Sequence, residues 1–510
     1  MNCREEFLFF DKTQIMRIKI LLFLMIVTLN CRADFAWTER CSKAYEFTMR
    51  LNFTKANALL AEEKTKNPEN QVPLYVESQI DFLQSFISED PKDAVGLKTR
   101  NDQRILQLVN YKSKSPFLKF FIAEMYMQKA IASIKGEEYF TAAFDVRKAY
   151  KLLEENQKSF PDFKPNLRGL GMIHAAIGTI PQSYKWTANM IGLTGTIKQG
   201  IDELKELLAA TSHDHECAFL RDETILLLTF TELNLGKEKD KEMMRKRFYG
   251  IKEIHEKPLI QFAKSIFHFS VGENDSVISL LSNRTREGDA MMVSYLDFME
   301  ASARLNNLDF SSEKIFLNYV NTFKGTNYIK ATWQHLAWIR LLQGDQVGYK
   351  NYITKFVTTS KSADLADEDK IAVQEAERGE TPNLTLLRSR LLFDGGYYNR
   401  ALLELAGKPM SLFPRQRDQL EFTYRLARIF DKLDKKDKAT PFYEQTIKNG
   451  ATYNYYFAAN SALSLGEIYE DAGDKIKATY YYRKTLSMHN HDYQNSIDQK
   501  AKAGLNRLGQ

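Results

Sequence analysis

The carboxyl-terminal part of the chain repeats itself, and that repeat restricts the fold more than any other feature. In residues 462–490 the order is Leu465-Gly466, Tyr469, Gly473, Ala478, Tyr482, Thr485 and Leu486. Displaced by 39 residues, Leu426-Ala427, Phe430, Asp434, Ala439, Tyr443 and Thr446 keep the same spacing. Such a pattern describes two helices joined by a tight turn. The small residues, Ala427, Gly466, Ala439 and Ala478, stand where the helices cross closely, and the rings of Phe430, Tyr443, Tyr469 and Tyr482 fill the space between pairs. One pair cannot bury its apolar face alone, so neighbours must stack. The expected fold class is all-α: an α-solenoid, a superhelix of antiparallel helix pairs.

The order L-G-x2-Y followed by A-x3-Y resembles the tetratricopeptide repeat, whose second helix carries A-x3-F with a ring in the same slot. A third copy runs through Ser389, Leu392, Gly396, Ala401 and Leu405, and Trp333, Leu336-Ala337, Gly344 and Tyr349 recover the repeat's opening farther upstream. Near residue 44 the offsets return with Ala44, Phe47, Ala56, Leu60 and Pro68. Between these points residues 117–134 and 140–157 read as a long antiparallel pair closed by Pro161, while later pairs drift in period. At about 35–40 residues per pair the chain would hold roughly ten to twelve hairpins. Pro (12) and Gly (24) are both scarce for 510 residues, as expected when few turns interrupt long helices. The pattern divides the chain into hairpins over 34–160, a glycine-containing apolar segment over 161–210, divergent hairpins over 211–325 and regular repeats over 326–510.

Residues 16–33 have the layout of a secretory signal: cations at Arg17 and Lys19, an apolar run from Ile20 to Leu29, then a polar exit. The run is half the length that a spanning helix needs, about twenty residues. Glu5, Glu6 and Asp11 spoil a basic leader, so translation is expected to begin at Met16. Cys31 and Ala33 suit cleavage after Ala33; the alternative is a lipoprotein acylated on Cys31, against which Asn30 is bulky for the preceding position. Export implies a periplasmic or outer-membrane-associated protein. Of the four cysteines, Cys41 and Cys217 could form one bridge there, and no disulfide framework is present. The net charge of +6 is dispersed, which argues against nucleic acid as a partner.

Residues 161–207 hold six glycines, including Gly169, Gly171, Gly195 and Gly200. Their spacing does not form a phosphate loop. One reading lets short helices pack closely, with Trp186 buried. The other offers Trp186, Met190, Ile191 and Leu193 to a membrane or a partner helix. This stretch, IPQSYKWTANMIGLTGTIKQGIDELKEL, together with the later TWQHLAW and LLFDGGYYNRAL, resembles the inclusion-body-clearance family of tetratricopeptide proteins and its bacterial relatives. The resemblance implies a noncatalytic helical scaffold. The export signal departs from the cytosolic, mitochondrial-surface and lipid-droplet settings of eukaryotic members.

Catalytic, metal and cofactor motifs are not found. His213-Asp214-His215-Glu216-Cys217 crowds metal-ligand types at a loop-to-helix junction, where Asp214 serves equally as a cap; His489 and His491 form a second such pair. The remaining site candidate is the concave groove of the superhelix. First-helix positions facing away from the packing residues are Trp338, Arg390, Asp394, Tyr424, Arg428, Asp431, Glu467 and Glu470. Arginines, carboxylates and aromatics in this mixture suit an extended peptide. The expectation is therefore an exported, noncatalytic scaffold that binds a protein or peptide, with membrane contact through residues 161–207 or an acylated Cys31. The alternative is a glycan-binding outer-membrane lipoprotein of the starch-uptake kind, which would need aromatic loops richer in Gly, Pro and Asn.

Overall fold

A computed structural model describes residues 34–180, 186, 190, 192–236, 240–284, 293–358 and 366–510. The signal sequence, the start at Met16, Cys31 and Ile191 lie outside the described residues. Among those described there are 24 α-helices and no strands, and the chain is an all-α solenoid built of packed adjacent helix pairs. They fall into two compact units, one of residues 34–240 and 251–260, the other of residues 241–250, 261–284 and 293–510.

The first unit carries α1 (Glu39–Met49), α2 (Phe53–Lys66), α3 (Val72–Ser88), α4 (Pro91–Val109), α5 (Pro116–Lys135), α6 (Tyr139–Ser159), α7 (Asn166–Gly178), α8 (Ile197–Ala210) and α9 (Arg221–Leu235). The second carries α10 (Lys241–Lys246), most of α11 (Pro258–Ser270), α12 (Asn274–Ser282), α13 (Ser294–Asn306), α14 (Ser312–Thr322), α15 (Ile329–Leu342) and α16 (Gln346–Thr358). It continues with α17 (Asp367–Arg378), α18 (Leu384–Asp394), α19 (Tyr398–Leu405), α20 (Gln416–Lys432), α21 (Lys436–Gly450), α22 (Tyr456–Asp471), α23 (Lys475–Leu486) and α24 (Gln494–Arg507). Pro68 and Pro161 both follow helix ends, α2 and α6, as the sequence pattern requires.

Eight hairpins share one turn. Leu51, Glu137, Gly272, Leu308, Gly344, Gly396, Asp434 and Gly473 all adopt left-handed φ between 57° and 84°. In each, the next residue's N–H donates to the carbonyl five positions back, from Asn52 to Phe47 through Asp474 to Tyr469, at 2.8–2.9 Å. This Schellman closure satisfies an orphan carbonyl at the end of the first helix and reverses the chain in three or so residues. Four of the eight positions are not glycine, so the same closure recurs at several places from Leu51 to Gly473 where no glycine marks it in the sequence.

In the second unit Ala401, Ala427, Ala439 and Ala478 are completely buried at the crossings, and Tyr443 and Tyr482 fill the spaces between them. The Tyr482 ring lies between Gly466 and Gly504, where an added methyl on either would overlap it. The first unit is filled differently. A cluster of Trp37, Tyr45, Tyr75, Phe117, Phe121 and Phe219 stacks with ring centroids 3.9 Å apart for Trp37–Phe219 and 4.4 Å for Tyr75–Phe121. Against it Arg168 is buried between Glu124 and Glu223, and the Tyr45 hydroxyl donates to Glu223 at 2.9 Å.

The glycine-containing segment brings α7 and α8 together. A methyl on Gly200 would run into the carbonyl of Gly171, so the two backbones touch. Close packing is thus what these glycines do, but Trp186 and Met190 are not buried: they are 60% and 75% exposed, whereas Leu193 is buried. Cys41 and Cys217 are buried free thiols, so the single bridge considered from the sequence is not formed. Burial pushes them up to about 11 and about 12. Among the described residues no helix is long and apolar enough to cross a membrane.

Candidate functional site

The first helices α18, α20, α22 and α24 of successive pairs pack side by side in the second unit. Residues one turn apart on each helix therefore form a continuous face. Between them lies an open cavity of about 280 Å³. Arg390, Phe393 and Asp394 enter it from α18, and Tyr424, Arg425 and Arg428 from α20. From α22 come Tyr456 and Asn460, from α24 Ser496, Ile497 and Lys500, with Tyr493 and Ile371 completing the wall.

Tyr424 forms the floor. It is 1% exposed, and its hydroxyl accepts from Arg428 Nη1 at 3.0 Å and from Asn460 Nδ2. The Arg428 guanidinium lies 4.7 Å over the Phe393 ring, a cation–π contact that helps hold it in place. Arg390 lies 5.0 Å over Trp338, whose indole N–H donates to Glu375 at 2.8 Å. Beneath them His335 is kept neutral, pushed down to about 3 by burial and by the Arg390 charge. Arg425 is neutralised by Glu421, which also pairs with Arg417 at 2.8 Å. Burial alone would raise the Glu421 carboxyl, but Arg425 and Arg417 hold it at about 2.

Of the eight groove residues expected from the sequence, Arg390, Asp394, Tyr424 and Arg428 line this one cavity. Trp338 is 2% exposed and serves as the platform under Arg390 rather than as an open surface. Asp431 turns to its own hairpin, accepting from the Tyr443 hydroxyl at 3.1 Å and pairing with Lys436. Glu467 is exposed on α22 outside the cavity lining. Glu470 is bound by Arg507 at 2.6 Å and accepts from the Tyr482 hydroxyl; its carboxyl is lowered chiefly by the Arg507 hydrogen bond.

Sequence reasoning missed the other nine lining residues, among them Asn460, Tyr493 and Lys500. The last two belong to α24 and its cap, beyond the final recognisable repeat, where no phase was available to orient them. Asn460 shares a helix face with Tyr456, four residues earlier, and that spacing was the signal. Among the described residues no group of three His, Cys, Asp or Glu side chains could hold a metal ion. Asp214 caps a turn by accepting from the Glu216 N–H at 2.9 Å, and His491 Nδ1 meets the Asp492 carbonyl at 2.8 Å. No protein-family model and no curated protein matches the chain.

Proposed function

We propose that this chain is a noncatalytic tetratricopeptide scaffold that holds a protein or peptide segment along the first helices of its second unit. Export through the signal in residues 16–33 would place it in the periplasm or at the outer membrane. The observation that carries the reading is the cavity itself: guanidinium groups held over aromatic rings, a tyrosine floor and an asparagine converge from successive helices. Ordered donors and ring faces along a shallow open groove suit an extended chain, whose backbone carbonyls and side chains alternate. A scaffold of this kind needs no reacting group of its own.

Photocrosslinking tests the proposal. A benzophenone amino acid at Ser496, inside the cavity, should capture a polypeptide in cells of the native host, and one at Ile476, 85% exposed on α23, should not. Equal capture at both positions, or glycan adducts at Ser496, would refute the peptide reading. The mature amino terminus tests export separately: Asp34 free supports it, and an intact Met16 contradicts it.

A further inference from the structure

The charges lining the cavity do not cancel. Arg390, Arg425, Arg428 and Lys500 share its wall with one carboxylate, that of Asp394. Arg425 is satisfied by Glu421 at 2.8 Å. Arg390 is held loosely, 3.8 Å from Glu375 and 3.8 Å from Asp394. Among the described residues, no carboxylate comes within ion-pair distance of Arg428 or of Lys500, and Arg428 gives a single hydrogen bond, to the Tyr424 hydroxyl. These two cations sit on different helices, α20 and α24, and both face the same space.

We propose, building on the reading of this groove as a peptide site, that the cavity takes an acidic peptide segment carrying at least two carboxylate side chains. One carboxylate meets the planar fork of Arg428, already held by the Phe393 ring and the Tyr424 hydroxyl, so little is lost in ordering it. The second meets Lys500. A single chain-terminal carboxylate would neutralise only one of the two. A volume of about 280 Å³ lies at the small end of ligand cavities, suited to side chains of a longer chain running past it. Tyr456 and Tyr493, in edge contact at 5.2 Å, offer ring faces to the apolar stems between the carboxylates.

The test is fluorescence anisotropy with the full chain and three labelled peptides, all acetylated and amidated at their ends: one rich in Asp and Glu around an aromatic residue, its Asn/Gln counterpart, and a Lys counterpart. The acidic peptide should bind at least roughly tenfold more tightly than the amide version, and added salt should weaken it. Lys500→Glu, a change on an exposed position of α24, should lower that affinity by roughly tenfold, and Arg428→Gln by a similar factor. Equal binding of the amide peptide would overturn the charge proposal while leaving the peptide groove standing. Binding that ignores both substitutions would overturn it as well. If none of the peptides binds, the peptide reading falls with it.

Discussion

The two units use one hairpin turn and fill the space between hairpins in different ways. In the second unit small residues at the crossings admit tyrosines, buried charges are paired as in Arg284 with Asp297 and Glu300 and Arg425 with Glu421, and further cations line an open cavity. In the first unit Arg168 and two glutamates are taken into the interior among stacked rings, and two glycines bring α7 against α8. The contrast teaches that the turn sets the repeat, whereas the filling decides where charge goes. Cations that are fully paired inside stabilise a fold; cations left facing solvent remain free to meet a ligand.

The sharpest way to break this comparison is to remove the buried cation. Arg168→Met would leave Glu124 and Glu223 buried without their partner and should cost about 3–5 kcal/mol in urea unfolding of the first unit. Loss of Arg428, by contrast, should cost only about 1 kcal/mol, because it removes one hydrogen bond to Tyr424 and no buried carboxylate depends on it. Next in size, Gly200→Ala and Ala478→Leu test the two kinds of close crossing. Each should destabilise its own unit by about 1–3 kcal/mol through overpacking, read by chemical denaturation.

Acid sharpens the comparison further. Glu421 in the second unit is held at about 2, against an ordinary 4.5, so its contribution is complete above pH 4.5 and is lost as the pH falls toward 2. Glu63 in the first unit is also lowered: burial opposes ionisation, but Asn70, Asn67 and Arg40 hydrogen bonds outweigh it. Both units should therefore lose melting temperature in acid, and Glu421→Gln should flatten that loss in the second unit alone. The smallest effect concerns the turn. Asp434→Gly relieves a left-handed φ that costs a residue with a side chain about 1 kcal/mol, partly offset by glycine's larger loss of freedom on folding, and should raise stability by less than about 1 kcal/mol.

The all-α solenoid was legible because Ala439, Ala478, Tyr443 and Tyr482 carry the packing and keep their phase. The central hairpins hid it for a physical reason. In α13 the small residue Ala301 is retained and fully buried, but Asp297 and Glu300 stand where α15 has Trp333 and Leu336. Both pair with Arg284, Glu300 at 2.7 Å, so an ionic cluster replaces the apolar stripe and erases its period. The site was half legible. Arg390 and Arg428 stand at one repeat position in successive copies, which stacking brings together. Which residues would close over them from α24 could not be phased, and the rings that lie under the guanidiniums depend on packing rather than on spacing.

The proposal to be tested is that the cation-rich cavity of the second unit engages an acidic partner. Hydrogen exchange of the full chain, with and without a saturating Asp/Glu-rich peptide, tests it most directly. Slowed exchange should appear in α18, α20 and the start of α24, with the first unit unchanged. Protection confined to residues 34–236 would contradict the account.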